Sequence, residues 1–251
     1  MKKMIATAMA AGFMAAAASA KVSAEVSMTL DLASAYVFRG VTYNDGLVFQ
    51  PGIEASGFGL PEDMGVISVG AWANYDIDDY GGALDSHEFS EVDWNVSYSL
   101  PFMPDGLDVS LGYYEYTYPN SSDSTDKEGN VEVSYALADT GVELGASAFY
   151  HIDNKDFYYS LSAGYGYDIS DAVSLSADAS AGYYEPEDGD GGFQDGTVSV
   201  GLDYALNDVW SLGAKGTYIA QLDDEILTDA NNLFYGYDVD FVGMLSLSAS
   251  F

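Results

Sequence analysis

Residues 235–251 read YGYDVDFVGMLSLSASF. Counting back in twos from the end gives Phe251, Ala249, Leu247, Leu245, Gly243, Phe241, Val239, Tyr237 and Tyr235. Between them stand Ser250, Ser248, Ser246, Met244, Val242, Asp240 and Asp238. One face is apolar and aromatic; the other is mostly Ser and Asp. A period of two belongs to an extended strand whose two faces meet different solvents. The same alternation recurs upstream over residues 26–38, 49–55, 67–75, 92–100, 107–113, 131–137, 142–150, 157–165, 173–183, 198–206 and 210–218. With the last stretch this predicts twelve strands.

The connections between them alternate in length. Residues 57–65, 101–106, 138–141, 168–172 and 207–209 form a short set. Residues 76–88, 118–129, 185–196 and 220–234 form a longer, acidic set, to which 39–48 and 151–156 belong by position. This asymmetry is expected of an all-β, closed antiparallel transmembrane β-barrel with short periplasmic turns and longer external loops. A spanning strand needs about 9–11 residues, so twelve use roughly half the chain and one domain, 21–251, accounts for all of it. Closure is required in lipid, because an open sheet would leave edge amides unpaired.

Residues 1–20 read as a secretory signal peptide: Lys2 and Lys3, a short apolar run, then Ala18-Ser19-Ala20. Cleavage is expected after Ala20, with Val22-Ser23-Ala24 as a second site. All 40 Asp and Glu follow residue 20, whereas two of the seven Lys and Arg precede it. Five cationic side chains then face 40 carboxylates, a balance that excludes nucleic acid as a partner. Cysteine is absent, so an exported chain must rely on burial or on a closed hydrogen-bonded sheet.

Alternation alone would also suit a soluble barrel with its apolar face inward. Three features favour the inverse. The polar face is built of Ser and Gly, such as Ser68, Gly70, Ser97, Gly112, Ser147, Ser162, Ser176 and Gly201, which fit the inside of a narrow closed sheet. Aromatics gather at strand ends. Phe38, Phe49, Tyr75, Tyr113, Tyr150, Phe157, Tyr183, Tyr218 and Tyr235 fall toward the long loops, and Tyr98, Tyr135, Tyr165, Tyr204, Trp210 and Phe251 toward the short turns. Two such girdles match the two water–lipid interfaces. Charges are nearly missing from the apolar face, where a basic residue costs about 2–4 kcal/mol at the midplane.

The final strand is similar to the terminal strand of bacterial outer-membrane barrels, which the barrel assembly machinery reads as an insertion signal; here that implies Phe241, Leu245, Leu247 and Phe251. Residues 34–56 read SAYVFRGVTYNDGLVFQPGIEAS. This resembles the amino-terminal signature of the TorF-type porin family at Ser34, Tyr36, Arg39, Gly40, Asp45, Gly46 and Gln50. Residues 70–74, GAWAN, are similar to that family's third strand. The resemblance implies a pore in the cell outer membrane, surrounded by lipid and lipopolysaccharide, with no catalytic residues or cofactor and no fixed solute.

The polar face carries Asp31, Glu54, Glu91, Asp93, Asp108, Glu132, Glu143, Asp178, Asp203, Asp238 and Asp240 against Arg39 and Lys215. Lining a wet lumen, these make a negative potential that favours cations. The expected function is passive diffusion of small hydrophilic solutes with cation preference; a non-conducting structural or adhesive barrel is the alternative. Arg39 is expected to tie the first loop to the wall through Glu54, or else to act as a constriction charge. Acid clusters at Asp76, Asp78 and Asp79, at Glu185, Glu187, Asp188 and Asp190, and at Asp223, Asp224 and Glu225 are read as solvated loops, with calcium or magnesium as candidate bridging ions. A hydrolase would need histidine at the external rim. Only His87 and His151 exist, and His151 with Asp153 and Asn154 is a thin basis for catalysis.

Overall fold

The computed structural model describes residues 24–80, 85–121, 125–230 and 236–251. In chain order the strands are β1 (Glu25–Ala33), β2 (Tyr36–Phe38), β3 (Val41–Asn44), β4 (Val48–Ser56), β5 (Val66–Asp76), β6 (Glu88–Ser99) and β7 (Leu107–Thr117). There follow β8 (Asp126–Leu137), β9 (Val142–His151), β10 (Phe157–Asp168), β11 (Val173–Glu185), β12 (Gly192–Ala205), β13 (Trp210–Gln221) and β14 (Phe241–Ser250). All but β2 and β3 form one closed barrel in the order β1-β14-β13-β12-β11-β10-β9-β8-β7-β6-β5-β4. Every ladder is antiparallel, and β1 closes the ring by pairing with both β14 and β4. Twelve spanning strands and the alternation of short turns with long loops are as the sequence predicts.

The faces are also as predicted. Ile53, Val69, Trp94, Val96, Leu111, Val131, Leu144, Leu161, Val198, Val200, Leu212 and Leu245 are exposed on the outside. Gln50, Asn74, Glu91, Glu128, Asn130, Glu132, Ser134, Ser199 and Asp203 are buried on the inside. In water this would be an inverted protein; in hydrocarbon it is the stable arrangement. The loop-side belt is continuous outside the sheet, from Tyr150 over Phe157, Tyr159 and Tyr183 to Phe193, with ring centroids 4.8 to 6.4 Å apart. At the turn side Trp210 meets Phe251 edge-on at 6.4 Å. Glu115 shares the outer face near the loop end, where Tyr113 donates to it at 3.2 Å.

Three expectations are corrected. The first strand does not run to Phe38. β1 stops at Ala33, and Tyr36–Phe38 pairs with Val41–Asn44 as a separate hairpin, so Phe38 belongs to the interior and not to a girdle. The alternation from 26 to 38 breaks at Ser34, whose hydroxyl accepts the Gly243 amide and turns the chain off the wall. The last strand begins at Phe241, not near residue 235. Gly236 bridges Thr42 of the hairpin and Tyr237 bridges Asp229, while Tyr235 lies outside the described residues. Finally, Arg39 does not pair with Glu54; its partner is Glu128. The signal peptide also lies outside the described residues.

Candidate functional site

The hairpin β2–β3 crosses the lumen. It leaves the wall after β1, and its tip meets β8, β9 and β10, which lie opposite β1 in the ring. Phe38 pairs with Val41, leaving Arg39-Gly40 as a two-residue turn. Both have positive φ, 51° and 78°, the mirror-type turn whose twist matches a hairpin. Glycine suits that conformation, and a Cβ on Gly40 would meet Asp195 and Leu227 side chains at 2.7 Å. Arginine is costly there, by about 1–2 kcal/mol, so the docked tip must over-determine it.

Docking supplies that. Arg39 gives both terminal nitrogens to Glu128, at 2.7 and 2.8 Å. Its guanidinium lies 4.6, 4.5 and 4.4 Å from the ring centroids of Phe38, Phe149 and Tyr158. Tyr116 donates to Glu128 at 2.8 Å, and Gln194 donates to the Arg39 carbonyl at 2.7 Å. Fork-to-fork pairing and aromatic faces are the contacts guanidinium makes best. Along the stem Tyr36 donates to Glu91 at 2.9 Å and packs on Tyr43 and Trp72. Ala33, Tyr36 and Val48 form an apolar cluster inside, flanked by Val242 and Met244. At the hairpin's base Asn44 donates to Asp76 at 2.7 Å, Asn74 donates to the same carboxylate, and Gln50 donates to Asn74. The Thr42 hydroxyl accepts the amides of Asp238 and Val239.

Most of the predicted acidic residues fall on the inner wall. Glu91 and Asp93 adjoin each other beside Tyr36. Glu132 accepts from Asn130. Glu54, Asp108, Glu143 and Asp178 are partly buried along β4, β7, β9 and β11. Lys215 stands among Asp178, Asp31 and Asp203. Asp238 and Asp240 are exposed and precede β14 instead of lying on it. Phe241, Leu245 and Phe251 point outward and are exposed, and Leu247 shares their side of the strand. Sequence reasoning missed Glu128, Asp195 and Asp126. Glu128 fell in a stretch read as loop, because β8 begins five residues earlier than the apolar alternation that starts at Val131.

Above the hairpin tip, toward the long loops, lies a cavity of about 280 Å³ with Arg39, Glu128, Asp126, Asp156, Tyr118 and Tyr184 among its walls. Its tyrosines are tied to its acids: Tyr118 donates to Asp126 at 2.8 Å and Tyr184 to Asp156 at 3.0 Å. His151 borders it. Its Nδ1 accepts the Asn154 amide at 2.9 Å and its Nε2 lies 3.5 Å from Asp126. The loop acids act locally: Asp78 accepts the Leu47 amide, Asp223 the Glu225 amide, and Glu187 pairs with Lys155. Among the described residues no group of three metal-ligating side chains converges. Tyr80 donates to Asp238 at 3.2 Å; burial first, and the Asp238 charge second, push its phenol up to about 12. Burial and then Asp238 likewise raise Asp45.

No family model and no curated protein matches the chain. Solved structures share its fold. An outer-membrane channel from Pseudomonas putida F1 superposes with a TM-score of 0.53 at 9% identity, covering 93% of this chain and 97% of that one. The KdgM porin gives 0.52 at 9% identity, over 90% and 99%. The NanC porin gives 0.50 at 12% identity, over 91% and 99%. The shared element is the closed twelve-stranded barrel.

Proposed function

We propose that the chain is an outer-membrane porin that lets small hydrophilic solutes, cations above anions, diffuse passively through its lumen. The observation that carries this is the sign of the inner wall. Asp31, Glu54, Asp93, Asp108, Glu132, Glu143, Asp178 and Asp203 share the barrel's inner side, with Lys215 beside Asp31, Asp178 and Asp203; the other cation on that side among the described residues, Arg39, is already paired with Glu128. Fixed carboxylates in a narrow low-dielectric passage raise the local cation concentration and repel anions. A polyanion such as oligogalacturonate, with which the KdgM porin forms a complex, would be repelled here. The likeness of 34–56 to the TorF-type porins supports the pore, and leaves the preferred solute open. Its signature residues hold the hairpin: Ser34 anchors its start, Tyr36 and Arg39 its length, Gly40 its turn, and Gln50 its base.

The hairpin itself favours a second reading, a plugged scaffold, because it spans the lumen from one wall to the other. Planar-bilayer recording separates the two. In a KCl gradient the porin gives discrete currents with a reversal potential of cation-selective sign. Anion selectivity, or no current from folded protein, refutes it.

A further inference from the structure

The chain's own Arg39 marks a receptor. Its guanidinium is held by Glu128, Phe149 and Tyr158, which sit on three adjacent strands, β8, β9 and β10. Two of these wall residues also have partners on the wall itself: Tyr116 donates to Glu128 at 2.8 Å, and Tyr158 donates to Asp195 at 2.9 Å. Two aromatic faces and a bidentate carboxylate select a planar fork over a compact ammonium. The cage opens on the loop-side cavity, whose Asp126 and Asp156 draw cations toward it.

We propose that this cage is a guanidinium-binding site of the lumen wall, held at rest by Arg39, for which small guanidinium-bearing cations compete from the loop side. The positive φ of Arg39 works against its own docking, whereas the tether supplies it at high effective concentration. A free cation that takes the cage releases the hairpin tip, so the site couples solute binding to lumen width. Only this last step rests on the porin reading.

The test is titration calorimetry of methylguanidinium into protein refolded in detergent micelles, which needs no current. Arg39→Ala vacates the cage and is expected to bind methylguanidinium at one site, in the millimolar range, at least tenfold more tightly than the wild type. Adding Glu128→Gln is expected to weaken that binding at least tenfold. Tetramethylammonium, which has no fork of N–H donors, is expected to bind Arg39→Ala at least tenfold more weakly than methylguanidinium. Equal affinities in Arg39→Ala and the double variant, or equal affinities for the two cations, overturn the proposal. If Arg39→Ala does not refold, Arg39→Lys replaces it, with binding intermediate between wild type and vacated cage; binding no tighter than wild type overturns the proposal too. A barrel that binds methylguanidinium in this pattern yet carries no current would sink the porin reading alone.

Discussion

Replacing Glu128 by Gln removes the charge that holds the hairpin tip while leaving Arg39 in place. The pair is nearly enclosed: the side chains of Arg39 and Glu128 are 15% and 5% exposed. Breaking a buried pair by removing one partner costs about 3–5 kcal/mol. Gln keeps an acceptor, and the three aromatic rings remain, so about 2–3 kcal/mol is the better figure for Glu128→Gln. At about 1.4 kcal/mol per tenfold, the undocked fraction rises roughly 30- to 150-fold. The barrel ladders do not include β2 or β3, so undocking the hairpin breaks no backbone pairing of the wall. Trypsin reads this directly, because it cleaves after Arg39 only when the tip leaves the cage. Where opening is fast relative to cleavage, the rate follows the open population. Cleavage at Arg39 should therefore accelerate by the same factor, while cleavage at Lys155, exposed in its loop, stays constant as an internal control. An Arg39 rate changed by less than threefold would refute the latch.

The outer face gives a second expectation. Leu161, 67% exposed midway along β10, would tolerate Arg in a soluble protein; here Leu161→Arg should cost about 2–4 kcal/mol in refolding titrations into lipid vesicles. Lys215→Met removes the cation that stands among Asp31, Asp178 and Asp203, and the reversal potential in a KCl gradient should move further in the cation-selective direction, with Asp178→Asn moving it back. Tyr80 has its phenol raised in the fold, so the bond to Asp238 contributes below the ordinary tyrosine pKa of about 10 and is lost as pH climbs through about 12. The difference between wild-type and Tyr80→Phe phenolate absorbance should accordingly titrate near that higher value, and a midpoint at the ordinary one would contradict the docked geometry.

The wall of the barrel was legible because each spanning strand carries two solvents in its alternation. Ile53 and Glu54, or Leu161 and Ser162, need no tertiary information to be assigned to opposite faces. The hairpin was harder. Tyr36 and Phe38 extend the even-numbered apolar row of β1, so periodicity continued across a point where the chain leaves the sheet. Two local signals marked the departure: the polar Ser34 in an apolar position, and Arg39-Gly40 flanked by alternating residues, which is a turn pair. What no local pattern carries is the partner of Arg39. Glu54 is near in sequence, whereas Glu128 is 89 residues away and becomes adjacent only because ring closure sets β8 opposite β1. The start of β14 was misplaced for the same kind of reason. Tyr235, Tyr237 and Val239 keep the strand period in sequence, yet Tyr237 pairs with Asp229 and its hydroxyl donates to the Ile219 carbonyl, which draws Tyr237 onto the loop side.

The lumen is the carboxylate side of the sheet only if hydrocarbon lies against Trp94 and not against Trp72. Trp94 faces outward at 56% exposure, and Trp72 packs at a tilt against Tyr36 of the hairpin inside, with ring centroids 5.4 Å apart. Single-tryptophan proteins, made by replacing the other two tryptophans with Phe, can be refolded into vesicles of brominated lipid, whose heavy atoms quench emission only at contact. Loss of most Trp94 emission with Trp72 emission retained is the predicted result. Quenching of Trp72 with Trp94 spared would place lipid on the carboxylate face and contradict the fold's orientation and every functional inference drawn from it.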